Sequence, residues 1–199
     1  MIFFYQLLFL VATYLIAAIP FGLLLTKIFV KKDVREFGSG NIGATNVVRV
    51  AGKKIGLLTL ILDGLKGAIM VVIARFTFSD ANDLHIFLVL VGTVAVIAHI
   101  YPVYLNFKGG KGVATAIAVL LALDLNIGLS AMGVWALTFL LFRTSSISSI
   151  SAIFSSIILS ICYDTSISQI LFCIFLFALI LYRHKENLER LIAGKEKKI

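Results

Sequence analysis

The chain has 199 residues, 60% of them hydrophobic and only 14% charged, and its mean hydropathy is +1.06. A soluble domain typically has about 45–50% apolar and 25% charged residues, so the composition excludes that class and predicts an all-α integral membrane protein. The net charge of +8 does not indicate nucleic-acid binding, because the basic residues cluster in short loops between apolar spans, as the positive-inside rule describes.

The first apolar stretch, residues 3–28, exceeds the ~20 residues that a bilayer-crossing helix needs. No basic segment precedes it, so it is predicted to be a retained span and not a cleaved signal peptide. Pro20 and Gly22 are expected to kink this span. Basic residues at its end place that end in the cytoplasm: Lys27, Lys31, Lys32 and Arg35.

A small, polar stretch with the sequence GSGNIGATN follows the first span, and we call it the Gly-Ser-Asn loop (residues 38–46). Its three glycines let the backbone approach a ligand closely, and successive N–H groups in such a loop form an anion-binding concavity. Ser39, Asn41, Thr45 and Asn46 add side-chain donors. A plain Gly-rich turn is the alternative. The G-x-G-x-x-G pattern in it is regarded as accidental, because no β-strand precedes it.

The second span is predicted over residues 55–76 and carries Asp63 and Lys66 near mid-depth. These two residues are three positions apart and therefore share one face of a helix. Charges at that depth are costly unless they are paired or face the bundle interior. A structural ion pair is favoured over a catalytic role. The following loop, residues 77–84, has no basic residue and is placed outside.

The third span is predicted over residues 85–105, with His99 and Pro102 in its final part. His99 is interpreted as a core residue and not a ligand, and Pro102 predicts a bend. The sequence NFKGGKG then forms what we call the Lys-Gly loop (residues 106–112). Two lysines among three glycines predict a second anion site, because point charges lie beside approachable backbone. A positive-inside turn is the alternative.

Two further helix pairs are predicted, one over residues 113–142 with a break at residues 124–126 and one over residues 147–182 with a break at residues 164–166. They bring the prediction to about seven transmembrane helices. If a pair is instead a re-entrant hairpin, the count falls by two. All 18 Lys and Arg residues except Lys66 and Arg75 fall on one side. The N-terminus is therefore predicted outside and the C-terminus in the cytoplasm.

The C-terminal tail, residues 182–199, is a third polar element on the inner side. His184, Asn187, Leu188 and Leu191 recur at three- and four-residue spacing and share one helical face. A basic helix resting on anionic lipid is the alternative, but such a helix does not need His and Asn at its apolar edge. Three anion-binding elements in one compartment suit an enzyme that joins a phosphorylated polar molecule to an acyl donor at the membrane surface.

Three motifs run in order along the whole chain: S-G-N-x-G-A-T-N at residues 39–46, G-G-K-G-V-A-T at residues 109–115 and H-x-x-N-x-x-R-L-x-x-G-x-E at residues 184–196. With these motifs the chain resembles the bacterial acyl-phosphate:glycerol-3-phosphate acyltransferase family. Three motifs together are far more specific than any one alone. Two shorter patterns also fit that family: Asp63-x-x-Lys66-Gly67 and His99-x-Tyr101-Pro102.

The resemblance implies one membrane-embedded acyltransferase domain over residues 1–199. It would transfer a fatty acyl group from acyl phosphate to the 1-hydroxyl of glycerol 3-phosphate, giving lysophosphatidic acid and phosphate in the first acylation step of phospholipid synthesis. The active site is expected on the cytoplasmic side of the bacterial inner membrane. The expected partners are the two substrates, the lipid bilayer and the enzyme that makes acyl phosphate, without nucleic acid, cofactor or metal.

The resemblance also implies the site residues. Three of them are expected to be catalytic: Ser39, His184 and Asn187. The others are expected to bind substrate: Gly38, Gly40, Asn41, Gly43, Thr45, Asn46, Arg49, Lys108, Gly109, Gly110, Lys111, Gly112 and Arg190. Ser39 and the backbone of both glycine-rich loops would stabilise the phosphate and the oxyanion. Glycerol 3-phosphate is expected near Arg49, Lys108, His184 and Asn187.

An acyl phosphate is an activated mixed anhydride, so positioning and charge stabilisation are expected to suffice for transfer. His184 titrates near neutral pH and serves as base or only orients the substrate; the departing phosphate is the other proton acceptor. A small transporter or channel for a phosphorylated anion is the alternative function. It predicts charged groups along a through-path, whereas only Asp63 and Lys66 lie deep. An acyltransferase with a different donor is a further alternative.

Overall fold

The computed structural model describes residues 1–196, and every regular element within that range is a helix. Within residues 1–196, nine α-helices follow one another: α1 (Ile2–Ala17), α2 (Phe21–Val30), α3 (Ala44–Thr77), α4 (Leu84–Ile100), α5 (Val113–Leu123), α6 (Leu125–Phe142), α7 (Ser145–Cys162), α8 (Ile167–Arg183) and α9 (Lys185–Ile192). Two short 3-10 turns lie at Val34–Glu36 and Val103–Leu105.

The helices form two compact units, Met1–Val119 and Leu120–Ile199, with the boundary inside α5. Each unit is described by itself below. The single domain expected over the whole chain remains a prediction.

The first unit packs α1, α3 and α4 against one another, with α2 on α3. The predicted kink near Pro20 is confirmed as a full break, since α1 ends at Ala17 and α2 begins at Phe21. Proline has no N–H and clashes with the preceding helical turn, so a helix interrupts there. Near the other end of this unit, the rings of Phe78 and Phe87 pack edge to face, with centroids 4.8 Å apart.

Helix α3 differs from the predicted second span because it begins at Ala44 and not near Ile55. The segment from Ala44 is helix-compatible, and Gly52 interrupts it with φ 84° and ψ 171°. Only glycine adopts such a conformation readily. The chain therefore has a short helical segment before the kink and a long apolar one after it.

Small residues let α3 approach the start of α5 closely. A methyl group at Gly67 would overlap the side chains of Thr115 and Val119, and one at Gly64 would press on Ala118. Such close helix contacts are typical of membrane proteins, where small residues replace the hydrophobic driving force. The hydroxyl of Thr115 donates to the backbone carbonyl of Asp63 at 2.7 Å.

The second unit packs α7 between α6 and α8. Its predicted breaks are confirmed, since the Asp124 side chain caps α6 and the Ser166 side chain caps α8. The serines of α7 mostly bond to carbonyls of their own helix, but Ser160 also contacts the buried thiol of Cys173 at 3.2 Å. After α8 the chain bends by 60° into α9.

Five stretches of the described chain are long and apolar enough to cross a bilayer: Ile2–Val30, Ala44–Thr77, Leu84–Leu105, Leu125–Phe142 and Ser145–Cys162. The bent pair of α8 and α9 makes a sixth if it counts as one span. Helix α5 is apolar but short. The fold is therefore that of an all-helical, multi-pass integral membrane protein, and the seven-span count remains a prediction.

Candidate active site

Asn46 organises the Gly-Ser-Asn loop. Its side chain is buried, and its Nδ2 donates to the backbone carbonyls of Val34 at 3.1 Å, Phe37 at 3.0 Å and Asn41 at 2.9 Å. Its Oδ1 accepts the backbone N–H of Ser39 at 2.9 Å. Asn46 was predicted to bind substrate, but its amide is hydrogen-bonded to the backbone of the loop and of the turn before it. These bonds stabilise the conformation of the Gly-Ser-Asn loop.

Two glycines make this loop conformation possible. Gly38 and Gly40 have φ of 64° and 70°, in the left-handed region that other residues rarely adopt. A methyl group at Gly38 would also overlap the Asn46 side chain. The prediction that these glycines adopt positive φ is confirmed. Their contact with a ligand remains a prediction.

The Gly-Ser-Asn loop leads directly into α3, and its last three residues form the first turn of that helix. Gly43 is the N-cap, and its N–H donates to the Asn41 side chain at 2.9 Å. The first N–H groups of a helix and its dipole favour an anion at this end. Thr45 and Arg49 are one turn apart on this segment and share a face. Ser39, in the loop before α3, and Arg49, in the second turn of α3, are both exposed.

An acidic residue anchors the turn before the loop. Asp33 accepts two hydrogen bonds from the Arg35 guanidinium, at 2.9 and 2.7 Å, and lies 3.6 Å from Lys27 Nζ. The side-chain hydrogen bonds from Arg35 hold the pKa of this carboxyl well below its usual range, against a smaller opposing effect of burial. In the sequence, Arg35 served only as one of the basic residues that predict a cytoplasmic loop. In the structure it also holds the Asp33 side chain through two hydrogen bonds.

A cleft of about 530 Å³ opens beside this turn in the first unit. Its walls are largely apolar, and Lys27, Arg35 and Asn106 add polar groups. Asn106 is the first residue of the Lys-Gly loop, so the cleft reaches the start of that loop. Its remaining lining residues are Ile19, Pro20, Leu23, Leu24, Tyr104 and Leu105.

The Lys-Gly loop folds back onto the end of α4. Asn106 and Phe107 have φ of 48° and 61° and reverse the chain. The N–H of Gly109 then donates to the carbonyl of Ile100 at 3.0 Å, and that of Gly110 donates to the carbonyl of His99 at 3.2 Å. These two backbone donors, predicted to bind an anion, therefore hold the loop in place.

Close packing explains the glycines of this loop. A methyl group at Gly109 would overlap the His99 carbonyl and Pro102, and one at Gly110 would overlap the His99 ring. Gly112, with φ 86°, directly precedes α5. The loop leaves Lys108 exposed and Lys111 half-buried, so anion binding here is predicted for the two lysine side chains.

Asp63, Lys66 and His99 form a buried charge cluster in the first unit, with only 2%, 5% and 4% of their surfaces exposed. Lys66 Nζ lies 2.9 Å from Asp63 Oδ1, so the predicted ion pair is confirmed. His99 Nδ1 lies 3.7 Å from the same oxygen. Lys66 Nζ also donates to the Ile19 carbonyl at 2.8 Å. The contact of His99 with this pair was not predicted, because a lone histidine late in α4 has no sequence spacing that relates it to Asp63 or Lys66.

His184 lies in the second unit, at the bend between α8 and α9, and is buried. Its Nδ1 is 2.8 Å from the carbonyl of Ile180. A carbonyl only accepts, so Nδ1 carries the proton in the neutral ring and Nε2 carries the lone pair. This tautomer is the one that a base acting through Nε2 requires.

Glu196 ties the C-terminal tail together. Its carboxylate accepts hydrogen bonds from Asn187 Nδ2, from Arg190 Nε at 2.9 Å and from Ser146 Oγ at 3.0 Å. Burial raises the pKa of Glu196, but the hydrogen bonds together with the Arg190 charge outweigh that effect and lower it. Sequence reasoning assigned no role to Glu196 or Ser146, although Glu196 closes the third motif.

The predicted site residues thus fall in both units. The first unit holds the Gly-Ser-Asn loop, Arg49 and the Lys-Gly loop, and the second holds His184, Asn187 and Arg190. The joint site of all three elements remains a prediction.

Comparisons with known proteins show one family. The family model described as glycerol-3-phosphate acyltransferase matches residues 7–194. A curated glycerol-3-phosphate acyltransferase of Syntrophotalea carbinolica is 46% identical over 187 residues, 94% of each chain. That of Pelagibacter ubique is 40% identical over 187 residues, again 94% of each chain.

Solved structures of one membrane protein are also similar. The crystal structure of PlsY (YgiH), an integral membrane glycerol 3-phosphate acyltransferase, in its glycerol 3-phosphate form has a TM-score of 0.91 and 39% identity. The match covers 98% of this chain and 96% of that one. The lysophosphatidic acid form of PlsY has a TM-score of 0.88 at 39% identity, covering 98% and 95%.

Proposed function

Because this chain belongs to the glycerol-3-phosphate acyltransferase family, we propose that it transfers a fatty acyl group from acyl phosphate to the 1-hydroxyl of glycerol 3-phosphate. The observation that carries the proposal is the Gly-Ser-Asn loop at the anion-favouring N-terminus of α3, with an exposed serine before the helix and an exposed arginine in its second turn. The products are lysophosphatidic acid and phosphate.

The donor is held by the Gly-Ser-Asn loop in this proposal. The Ser39 hydroxyl and the first turn of α3 stabilise negative charge on the acyl phosphate as its carbonyl is attacked. The walls of the neighbouring cleft are largely apolar and suit an acyl chain, while its cations Lys27 and Arg35 are both paired with Asp33. A mixed anhydride already has a good leaving group, so the protein needs to supply position and charge and not a covalent intermediate.

The acceptor phosphate is bound by loop cations. Arg49 offers a planar fork for two phosphate oxygens, and Lys108 offers a point charge at the tip of the Lys-Gly loop. Both side chains are exposed, as binding of a water-soluble substrate requires. Lys111 adds a third positive charge to the same loop.

The transfer step is a direct displacement. The 1-hydroxyl oxygen of glycerol 3-phosphate bonds to the acyl carbon, and the bond from that carbon to the phosphate oxygen breaks with its electron pair going to phosphate. The hydroxyl proton goes to Nε2 of His184, whose Nδ1 faces the Ile180 carbonyl, or to the departing phosphate. Asn187 and Arg190, both bonded to Glu196, belong to the same tail and are assigned to substrate orientation.

The proposed topology has seven spans, with α1 and α2 counted as one and α3 to α8 crossing singly. The N-terminus lies outside and the C-terminus in the cytoplasm, which puts both glycine-rich loops and the tail on the cytoplasmic side of the inner membrane. The charge distribution supports this arrangement, because all Lys and Arg residues but Lys66 and Arg75 then lie inside. The enzyme that makes acyl phosphate remains an expected partner.

The proposal is tested with purified protein in lipid nanodiscs. Labelled glycerol 3-phosphate is supplied together with acyl phosphate, acyl-CoA or acyl carrier protein in separate reactions, and labelled lysophosphatidic acid is measured. We expect product with acyl phosphate alone. Product with acyl-CoA alone would identify a different donor, and uptake of label into proteoliposomes without any donor would favour the transporter.

A further inference from the structure

The buried charge cluster of Asp63, Lys66 and His99 lies outside the residues assigned to substrate. All three side chains are almost fully buried in the apolar part of the first unit. Charged groups are expensive at such a position, and uncharged side chains fill the same volume at lower cost. Their contacts, however, reach both glycine-rich loops.

The first connection runs through His99 to the Lys-Gly loop. The His99 ring lies so close to Gly110 that no side chain fits between them. The His99 carbonyl accepts the Gly110 N–H at 3.2 Å. The position of the His99 ring therefore decides how closely the loop, with Lys108 and Lys111, lies against α4.

The second connection runs through Lys66 to the Gly-Ser-Asn loop. Lys66 Nζ donates to the Ile19 carbonyl, in the break between α1 and α2, at 2.8 Å. Gly22 in the next turn lies directly against the Ile42 carbonyl, where a methyl group would overlap it. Lys66 therefore fixes the helix end on which the Gly-Ser-Asn loop rests.

The third connection runs through the Asp63 backbone to α5. The Asp63 carbonyl accepts the hydroxyl of Thr115 at 2.7 Å. Thr115 lies in the first turn of α5, immediately after the Lys-Gly loop. The cluster thus contacts one residue within the Lys-Gly loop, Gly110, and one residue after it, Thr115.

We propose that Asp63, Lys66 and His99 are positioning residues that hold the Gly-Ser-Asn loop and the Lys-Gly loop in one fixed arrangement for the transfer reaction. The proposal rests on the proposed function, since it assigns the two loops to donor and acceptor. A purely structural ion pair is the competing explanation. The positioning role and the purely structural role predict different kcat/KM values for a variant in which both charges are removed together.

The test compares Lys66→Met with the double variant Asp63→Leu/Lys66→Met. The single variant leaves an unpaired buried carboxylate and is expected to lower the melting temperature strongly. The double variant removes both charges and is expected to regain most of that loss. It still lacks the bond to Ile19, so we expect its kcat/KM to stay about 10²-fold below wild type, the effect of misplaced catalytic groups.

A second variant keeps the proposal testable if the double variant does not fold. His99→Ala leaves the Asp63–Lys66 pair intact but removes the ring that supports Gly110. We expect a modest loss in melting temperature and a KM for glycerol 3-phosphate raised about tenfold, with a matching loss of binding in isothermal titration. Thr13→Val is the control, because Thr13 is buried in α1 and its hydroxyl bonds to its own helix.

The outcomes separate the two ideas. Wild-type kinetics in a double variant that has regained stability, or unchanged glycerol 3-phosphate binding in His99→Ala, overturns the positioning role. A wild-type protein without transfer to glycerol 3-phosphate from any donor overturns the proposed function and, with it, this role. Wild-type transfer with low kcat/KM in a stable double variant supports both.

Discussion

Asn46 Oδ1 accepts the backbone N–H of Ser39 at 2.9 Å, across seven residues of the chain. This bond occupies the Ser39 N–H, so the role proposed for Ser39 falls to its hydroxyl. It also makes the position of Ser39 depend on a side chain in the first turn of α3.

The loop is expected to fail when Asn46 loses its donor. Asn46→Asp keeps an acceptor for Ser39 but turns a carboxylate towards the carbonyls of Val34, Phe37 and Asn41. Leaving such buried groups unsatisfied costs about 1–3 kcal/mol, so we expect a lower melting temperature and a severe loss of kcat/KM. The same change at the exposed Asn126 is the control. Unchanged stability and activity in Asn46→Asp would refute the organising role.

Ser39→Ala should reduce kcat by about 10²–10³-fold, the effect of removing one oxyanion-type donor. The fold is expected to be unchanged, because Ser39 is bonded to Asn46 through its backbone N–H, which alanine keeps. Two-substrate kinetics of the wild type should give intersecting double-reciprocal lines, as direct transfer in a ternary complex requires. Parallel lines with an acyl group trapped on Ser39 would make the serine a nucleophile.

Arg49→Ala and Lys108→Ala should each raise the KM for glycerol 3-phosphate by about 10–100-fold, the equivalent of a lost charge-assisted hydrogen bond. Arg49→Lys should be impaired as well, because the planar fork is lost. Arg75→Ala, at the far end of α3, is the control and should keep the wild-type KM. Near-normal kinetics in both loop variants would contradict the assignment.

Protonation of Glu196 at low pH should weaken its hydrogen bonds and destabilise the C-terminal tail. Its pKa is lowered in the folded protein, so its contribution to stability is present above the ordinary glutamate value of 4.5 and is lost as pH falls through the folded pKa. Glu196→Gln should therefore show a smaller drop in melting temperature on acidification than the wild type. Glu189→Gln, on the exposed face of α9, should behave as the wild type does.

The topology is tested by cysteine labelling after Cys162 and Cys173 are replaced. A cysteine at Ser79 should react with an impermeant thiol reagent added to intact cells, and a cysteine at Lys195 should react only after lysis. Both positions are outside the apolar helices. The reverse pattern would place the glycine-rich loops on the outer face.

Local signals in the sequence were sufficient for the helix breaks and for the Asp63–Lys66 pair. Pro20 lacks a donor, Asp124 and Ser166 are capping residues, and a three-residue spacing puts two charges on one face. These features depend on neighbours within one or two turns, which a sequence displays directly.

Long-range partners could not be predicted in the same way. The bonds from Lys66 to Ile19 and from Ser146 to Glu196 join residues far apart in the chain. The sequence motif identified Asn46 as a hydrogen-bond donor. It did not indicate whether the Asn46 side chain contacts a ligand or the backbone of its own loop. The kink at Gly52 was likewise hidden, because a glycine in a helical pattern is compatible with continuation or a break.

The contact between His99 and Gly110 constrains how this chain can change over time. A larger residue at position 110 requires a smaller one at position 99, so the two positions should substitute as a pair across related sequences. Loss of activity in Gly110→Ala would therefore report a steric conflict with His99 and not a missing contact with phosphate. Recovery of activity in Gly110→Ala combined with His99→Ala, up to the level of His99→Ala alone, would identify that conflict.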